Sequence, residues 1–206
     1  MDDVAARTEG RVAAGGIELA YETFGQAGDP AIVLVMGWAT QMIAWPDELC
    51  QSLAGRGHFV VRFDNRDTGG STHLAHIPPP PLSEVLARRR QPPYTISDMA
   101  DDVAGLLDGL GLDSVHLVGA SMGGFIAQTV ALRHPRRIRS LTLMMTSTGS
   151  LRVGLAIARA IPGCRFIGYP GMGHDLPRPL WPEFADQIAT LAARGERDWP
   201  PRPVSG

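Results

Sequence analysis

Apolar residues along this chain occur in short runs typical of strands and in longer stretches with helical spacing. Residues 11–24 alternate with an approximate period of two around Gly15-Gly16, which predicts a β-hairpin. The later runs are short, and residues 31–36 are continuously apolar, as is typical of a strand buried on both faces. The predicted strands after the hairpin are residues 31–36, 59–64, 114–119, 140–145 and 165–169.

Helical spacing and matching end signals occupy most of the segments between these strands. Thr95 is followed three residues later by Asp98, a variant of the capping box that predicts a helix start. The predicted helices are residues 45–56, 95–110, 122–133, 153–161 and 181–194. A hairpin followed by strands that alternate with helices predicts an α/β domain, with a mostly parallel sheet and helices on both faces.

Some segments do not follow this pattern. Residues 73–93 contain runs of proline and arginine, which predict a loop-like excursion with a short helix at residues 82–89. We expect residues 1–10 to form an N-terminal tail and residues 195–206 to form a disordered, proline-rich tail. A single core domain is therefore predicted to span residues 11–194.

Composition narrows the classes of function. The 206 residues carry a formal net charge of -2 at pH 7, so no global basic field would attract nucleic acid or an anionic membrane. Cys50 and Cys164 are too few for a disulfide scaffold or a zinc site. The chain shows no signal peptide and no apolar stretch of about 20 residues. We expect a cytoplasmic protein without membrane segments, cofactor or bound metal.

One short motif points to catalysis. Gly119-Ala120-Ser121-Met122-Gly123 has the form G-x-S-x-G and lies between a predicted strand and a predicted helix, the context that this motif requires. Small neighbours let the chain bend sharply and expose the serine hydroxyl. This context favours a nucleophile over the alternative, a plain glycine-rich turn. The spacing G-x-G-x-x-G of dinucleotide-binding turns is absent.

Three further segments, together with this motif, resemble the α/β-hydrolases. Val35-Met36-Gly37-Trp38 resembles their oxyanion loop, residues 63–69 their D-x-R segment, and Gly171-Met172-Gly173-His174 the loop that carries their histidine. Over residues 10–149 and 153–194 the chain is most similar to the aclacinomycin methylesterase-type branch. The resemblance implies an α/β-hydrolase fold and hydrolysis of a methyl or other small carboxylic ester through an acyl-enzyme.

The resemblance also implies roles for individual residues. Ser121 would be the nucleophile, and His174 would be the base that takes its proton and later returns it. The backbone N–H groups of Trp38 and Met122 would form the oxyanion hole. The implied structural residues are Gly119 and Gly123 of the nucleophile elbow, with Asp64 and Arg66 of the loop after the strand at 59–64.

The chain departs from the family pattern in its acid and its cap. The family order is Ser, then Asp or Glu, then His, yet none of residues 122–173 is Asp or Glu. The similarity stops near residue 150 and resumes near residue 153. This break predicts an internal deletion near residues 150–152 that removed the cap, one strand and the triad acid. The triad acid is therefore unknown; the candidates for a replacement are Asp64, Asp175, Glu183 and Asp186.

Such a deletion has predicted consequences. Residues 165–169 would pair directly with residues 140–145, which moves His174 towards Ser121 by one strand spacing, roughly 4.8 Å. The site would be open to water, and apolar surface left without its cap would favour a homo-oligomer. Activity on a small-molecule ester would be weakened or lost, because the acid is missing. The alternative is a non-catalytic α/β-hydrolase remnant or a binding protein.

Overall fold

A six-stranded mixed sheet lies at the centre of the computed structural model, which describes residues 7–74, 93–146 and 164–199. The strands follow one another in the order β1-β2-β4-β3-β5-β6. Strand β2 is antiparallel to both β1 and β4, whereas β3, β4, β5 and β6 pair in parallel. The expected α/β fold, with an N-terminal hairpin on a mostly parallel sheet, is confirmed. The strands are β1 (Thr8–Ala14), β2 (Ile17–Phe24), β3 (Ala31–Val35), β4 (Phe59–Phe63), β5 (Val115–Ala120) and β6 (Ile138–Met144).

Helices cover both faces of the sheet, as the alternation of strands and helices predicts. The described α-helices are α1 (Asp47–Ala54), α2 (Ile96–Gly109), α3 (Met122–Arg133) and α4 (Trp181–Asp198). One apolar cluster joins α2 and α3 to alternate residues of the central strands, and the other joins α1 and α4 to the residues between them. Helix α2 begins with the predicted capping box, in which Thr95 accepts from the backbone N–H of Asp98 and the Asp98 carboxylate accepts from that of Thr95.

The central strands are buried along their whole length. Every residue of β3 and β5 is buried, and Val33 packs on one face of the sheet while Leu34 packs on the other. Strand β6 is only partly buried, because it is the last strand of the described sheet. The carboxyl ends of β3, β4 and β5 meet at one edge, where ligands bind in open α/β sheets.

A buried ion-pair group ties the antiparallel strands to α1. Arg62 of β4 is 1% exposed and forms an ion pair with the carboxylate of Glu22 on β2. The same guanidinium donates to Asp47 of α1 at 2.5 Å and to the backbone carbonyl of Trp45. These contacts fix α1 to the sheet beside the loop that follows β3.

The structure differs clearly from the sequence predictions at residues 164–169, at the end of α4 and at the start of β1. Residues 164–169 form no strand, so the predicted pairing of residues 165–169 with residues 140–145 is wrong. This segment is mostly exposed. Helix α4 continues to Asp198 instead of ending at Arg194, because Glu196 in its last turn contacts the sheet. Strand β1 begins at Thr8, three residues before the predicted hairpin.

Some predictions concern residues outside the described part of the chain. These are most of the excursion at residues 73–93, the helix at residues 153–161 and the internal deletion near residues 150–152. Among the residues that the structure describes, none of the helices is long and apolar enough to cross a membrane.

Candidate active site

Ser121 lies on a strained turn between β5 and α3. Its backbone angles, φ 54 and ψ −121, are rare for a residue with a side chain, and strain of this kind is concentrated at functional sites. The backbone N–H of Ser121 donates to the carbonyl of Met144 at 3.0 Å, which fixes the turn to β6. The turn therefore holds the serine hydroxyl at the carboxyl edge of the sheet.

The two glycines of the motif allow this turn because no side chain fits at their positions. A Cβ on Gly119 would lie 2.3 Å from the carbonyl oxygen of Gly123. A Cβ on Gly123 would lie 2.2 Å from the carbonyl oxygen of Val35 on the neighbouring strand. Both separations are far shorter than van der Waals contact. Glycine at these two positions thus brings α3, β5 and β3 close together around Ser121.

His174 lies within hydrogen-bond reach of the serine. The distance between His174 Nε2 and Ser121 Oγ is 2.8 Å, although 53 residues separate the two along the chain. This is the geometry of a nucleophile with its base, in which the Ser121 hydroxyl donates to an unprotonated Nε2. The loop that carries His174 thus reaches the serine without the strand that was expected to place it there.

The predicted oxyanion donors flank the same serine. A Cβ on Gly37 would lie 3.0 Å from Ser121 Cβ, so the residue before Trp38 lies close against Ser121. Met122 is the first residue of α3, and its N–H therefore has no acceptor within the helix. The side-chain amide of Asn65 donates to the carbonyl of Met36 at 2.9 Å and holds this loop at the edge of the sheet.

No carboxylate in the described part of the chain pairs with the His174 ring. Asp64 accepts from the backbone N–H of Met42 at 2.6 Å and from that of Gly70 at 2.8 Å, so it holds loops. Within the described residues, the other three candidates for a replacement acid also form no hydrogen bond or ion pair with His174. Asp186 pairs with Arg56, Glu183 lies beside Tyr169, and Asp175 is exposed.

The comparison with known proteins agrees with this geometry. A family model described as alpha/beta hydrolase fold matches residues 30–191. This chain belongs to the α/β-hydrolase family. The chain is 33% identical over 182 residues to "Rhodomycin D methylesterase DnrP" of Streptomyces peucetius, covering 88% of this chain and 54% of that protein. The similarity to a methylesterase-type branch is therefore confirmed.

Solved structures of hydrolases have the same fold. A hydrolase from Pseudomonas aeruginosa PA01 superposes with a TM-score of 0.54 and 32% identity, covering 66% of this chain and 45% of that one. The enol-lactonase from Burkholderia xenovorans LB400 superposes with a TM-score of 0.53 and 30% identity, covering 64% and 45%. This α/β-hydrolase spans about half the length of the relatives that it matches.

The D-x-R segment of this α/β-hydrolase contributes to the structure through the contacts of Arg66. Arg66 donates to both carboxylate oxygens of Asp102 on α2, at 2.6 and 2.7 Å, and its guanidinium lies 5.2 Å from the ring centre of Tyr94. Burial raises the pKa of the Asp102 carboxyl, and the guanidinium opposes that shift. Arg66 therefore connects the loop after β4 to α2, and it forms no hydrogen bond with Ser121 or His174, both of which lie in the described part of the chain.

A serine–histidine–carboxylate chain, separate from the Ser121–His174 pair, lies at the opposite end of β5. His116 Nδ1 lies 2.9 Å from Ser140 Oγ, and its Nε2 lies 2.9 Å from Glu196 Oε1 at the end of α4. His116 is 1% exposed, and burial lowers its pKa to about 4. These hydrogen bonds hold α4 against the sheet. They were not predictable from the sequence, because no local motif connects residues 80 positions apart.

The other reactive side chains in the described residues are either buried or too far apart to form a cluster. Burial raises the pKa of the Cys50 thiol to about 12, which keeps this residue protonated and inert. In the described ranges, no cluster of three or more His, Cys, Asp or Glu side chains forms a candidate metal site. Among the described residues, Ser121 thus combines a strained backbone at the edge of the sheet with a histidine side chain, that of His174, within hydrogen-bond reach.

Proposed function

We propose that this protein is a serine hydrolase that acts on small carboxylic esters, such as methyl esters, through an acyl-enzyme. The observation that carries the proposal is the 2.8 Å contact between His174 Nε2 and Ser121 Oγ at a strained turn. The similarity to a protein named as a methylesterase supports an ester as the substrate class. No cofactor or metal takes part in this chemistry.

Acylation follows from the positions of the two side chains. The Oγ of Ser121 attacks the ester carbonyl carbon while Nε2 of His174 takes the hydroxyl proton. The carbonyl oxygen becomes an oxyanion, and the N–H groups of Trp38 and Met122 are placed to donate to it. The tetrahedral intermediate collapses, and the leaving alcohol takes the proton from His174. An ester bond to Ser121 remains.

Deacylation uses the same groups in reverse. A water molecule gives a proton to Nε2 of His174 and attacks the acyl carbon. The same two N–H groups stabilise the second oxyanion. When this intermediate breaks down, Ser121 Oγ recovers the proton, and the carboxylic acid leaves. Every atom and proton in the cycle is supplied by the ester, the water, Ser121 and His174.

The turnover is expected to be low. In the described residues His174 forms no hydrogen bond or ion pair with a carboxylate, so no carboxylate there orients its ring or stabilises the imidazolium that forms. In serine proteases, disabling the triad acid lowers kcat by about 10⁴-fold. We expect a Ser–His dyad with a turnover reduced by up to that factor relative to a complete triad.

Ester hydrolysis and covalent labelling test this proposal together. Wild type should hydrolyse p-nitrophenyl acetate and should be labelled by a fluorophosphonate, and both signals should be lost in Ser121→Ala. Ser140→Ala is the matched control, since Ser140 also bonds to a histidine but lies at the other end of the sheet. If wild type and Ser121→Ala hydrolyse the ester equally and neither is labelled, the proposal is wrong.

The alternative is a binding protein without catalysis. The absence of a carboxylate partner for His174 among the described residues favours it, because a dyad without an acid gives less rate enhancement than a triad. In that case Ser121→Ala would leave ester binding unchanged, and no acyl-enzyme would be detected by mass spectrometry of the intact protein. A mass increase equal to the acyl group, on Ser121 alone, rejects this alternative.

The proposal also covers the location and the partners of the protein. We expect a cytoplasmic protein without a nucleic-acid or membrane partner. A homo-oligomer would form through apolar surface beside the site, where Trp38 is 79% exposed and Ile43 is 61% exposed. Light scattering on wild type and Trp38→Ser measures this association. A monomer at all concentrations would contradict it.

A further inference from the structure

His174 projects from a loop that is fixed to α4 on both sides. Before His174, the ring of Tyr169 packs edge-to-face on Phe184 of α4, with ring centres 5.3 Å apart. After His174, the indole N–H of Trp181, the first residue of α4, donates to the carbonyl of Leu176 at 2.7 Å. The histidine itself is exposed, and its hydrogen-bond partner among the described residues is Ser121.

The Trp181 contact is the closer of these two anchors along the chain. Leu176 is two residues from His174, so a displacement of its carbonyl moves the imidazole almost directly. Leu176 and Trp181 are both partly buried against the apolar cluster beneath α4. The guanidinium of Arg178 covers the indole ring at 5.7 Å, and Arg178 also pairs with Glu48 at 3.4 Å. The indole is therefore held in place from both sides.

We infer that Trp181 is a positioning residue for His174, and that it supplies through the loop backbone some of the orientation that a carboxylate would supply directly. This inference rests on the proposed function for its kinetic consequence. A base must stay within hydrogen-bond reach of its nucleophile, and a displacement of about 1 Å can lower a rate by about 10²-fold. An indole N–H bond to the loop limits such displacement.

The test is Trp181→Phe, which keeps an aromatic ring and removes the N–H donor. We expect kcat for p-nitrophenyl acetate to fall by about 10-fold with little change in KM, because the base is displaced and the ester site is not. Trp199→Phe is the matched control, since it makes the same change at the far end of α4, where the ring contacts Arg139. Thermal unfolding of both variants shows that they remain folded.

A double-mutant cycle separates positioning from a general structural role. In a His174→Ala background, Trp181→Phe should change the rate of fluorophosphonate labelling by less than about 2-fold, because the group it positions is gone. An equal loss in both backgrounds would overturn the inference. If Trp181→Phe does not fold, Phe184→Leu weakens the other anchor and should give the same pattern.

An NMR measurement separates this inference from the proposed function. The ring signals of His174, assigned by their loss in His174→Ala, should shift when Ser121 is replaced by Ala. That shift should be at least halved in the Trp181→Phe background, whether or not the protein hydrolyses esters. A full-sized shift there would overturn the positioning role. Absence of Ser121-dependent hydrolysis with a halved shift would instead reject the proposed function alone.

Discussion

Gly37 touches Ser121 so closely that a Cβ on Gly37 would lie 3.0 Å from Ser121 Cβ and 3.4 Å from Ser121 Oγ. The loop after β3 and the turn after β5 are thus in direct contact at Ser121. This contact places the proposed oxyanion loop beside the serine, since Trp38 is the next residue.

Gly37→Ala is expected to lower activity with little loss of stability. The added methyl group would push the serine side chain by a few tenths of an ångström, which disturbs its alignment with His174. We expect kcat to fall by about 10-fold. The control is Gly168→Ala, whose Cβ would approach no closer than 3.8 Å to Phe166. Equal activities for the two variants would contradict this account of the contact.

Gly123→Ala is expected to destabilise the fold itself. Its Cβ would lie 2.2 Å from the carbonyl oxygen of Val35 and 2.7 Å from that of Met36, and neither backbone atom can move without shifting β3. Overpacking against backbone typically costs about 1–3 kcal/mol, and this case belongs at the upper end. Urea unfolding measures the loss. A midpoint within error of wild type would show that α3 can shift away from β3.

Glu22→Ala is expected to cost about 3–5 kcal/mol of unfolding free energy. The substitution leaves the guanidinium of Arg62 buried without its main partner, since the side chains of Arg62 and Glu22 are 1% and 4% exposed. Glu18→Ala is the control, because its pair with Arg11 is exposed and such pairs contribute less than about 1 kcal/mol. Chemical unfolding of the two variants should differ by several kcal/mol.

Acid is expected to weaken the fold through His116. Burial lowers its pKa to about 4, against about 6.5 in an unfolded chain, so between these values the unfolded state binds more protons. Stability therefore falls as the pH drops through this window, by about 2 kcal/mol between pH 7 and pH 5. The groups facing His116 are Glu196, Ser140, Arg139 and His58.

His116→Gln tests this pH dependence, because it removes the titrating group from the contact with Glu196. Urea midpoints at pH 7 and pH 5 should differ less in the variant than in wild type. His73→Gln is the control, since His73 is exposed and its replacement should leave the difference unchanged. A wild-type difference that persists in His116→Gln would assign the effect to other groups.

Most strands of the sheet were predictable from sequence, and residues 165–169 are the exception. Strands buried on both faces need continuous apolar residues, so β3 and β5 stand out locally. Residues 165–169 also include apolar residues, among them Phe166 and Ile167, yet they form a loop whose Tyr169 packs on Phe184. Strand propensity depends on available partners, and the composition of a five-residue run does not contain that information.

The site was predictable in its residues and not in its geometry. The motif around Ser121 and the resemblance around His174 named the pair, and the lack of Asp or Glu between them predicted a histidine without a carboxylate in the usual place. The 2.8 Å separation depends on how the loop before α4 packs, which involves Trp181 and Leu176. The same limit applies to the contact between His116 and Glu196, which no local pattern signals.

The groups around the site divide between two continuous stretches of chain. The proposed nucleophile and both proposed oxyanion donors belong to residues 7–146. The proposed base, the two contacts that hold its loop to α4, and Glu196 belong to residues 164–199. A polypeptide of either stretch alone would hold half of a reaction centre. Cutting the chain between them should therefore yield two inactive pieces whose mixing restores ester hydrolysis, the basis of a split reporter.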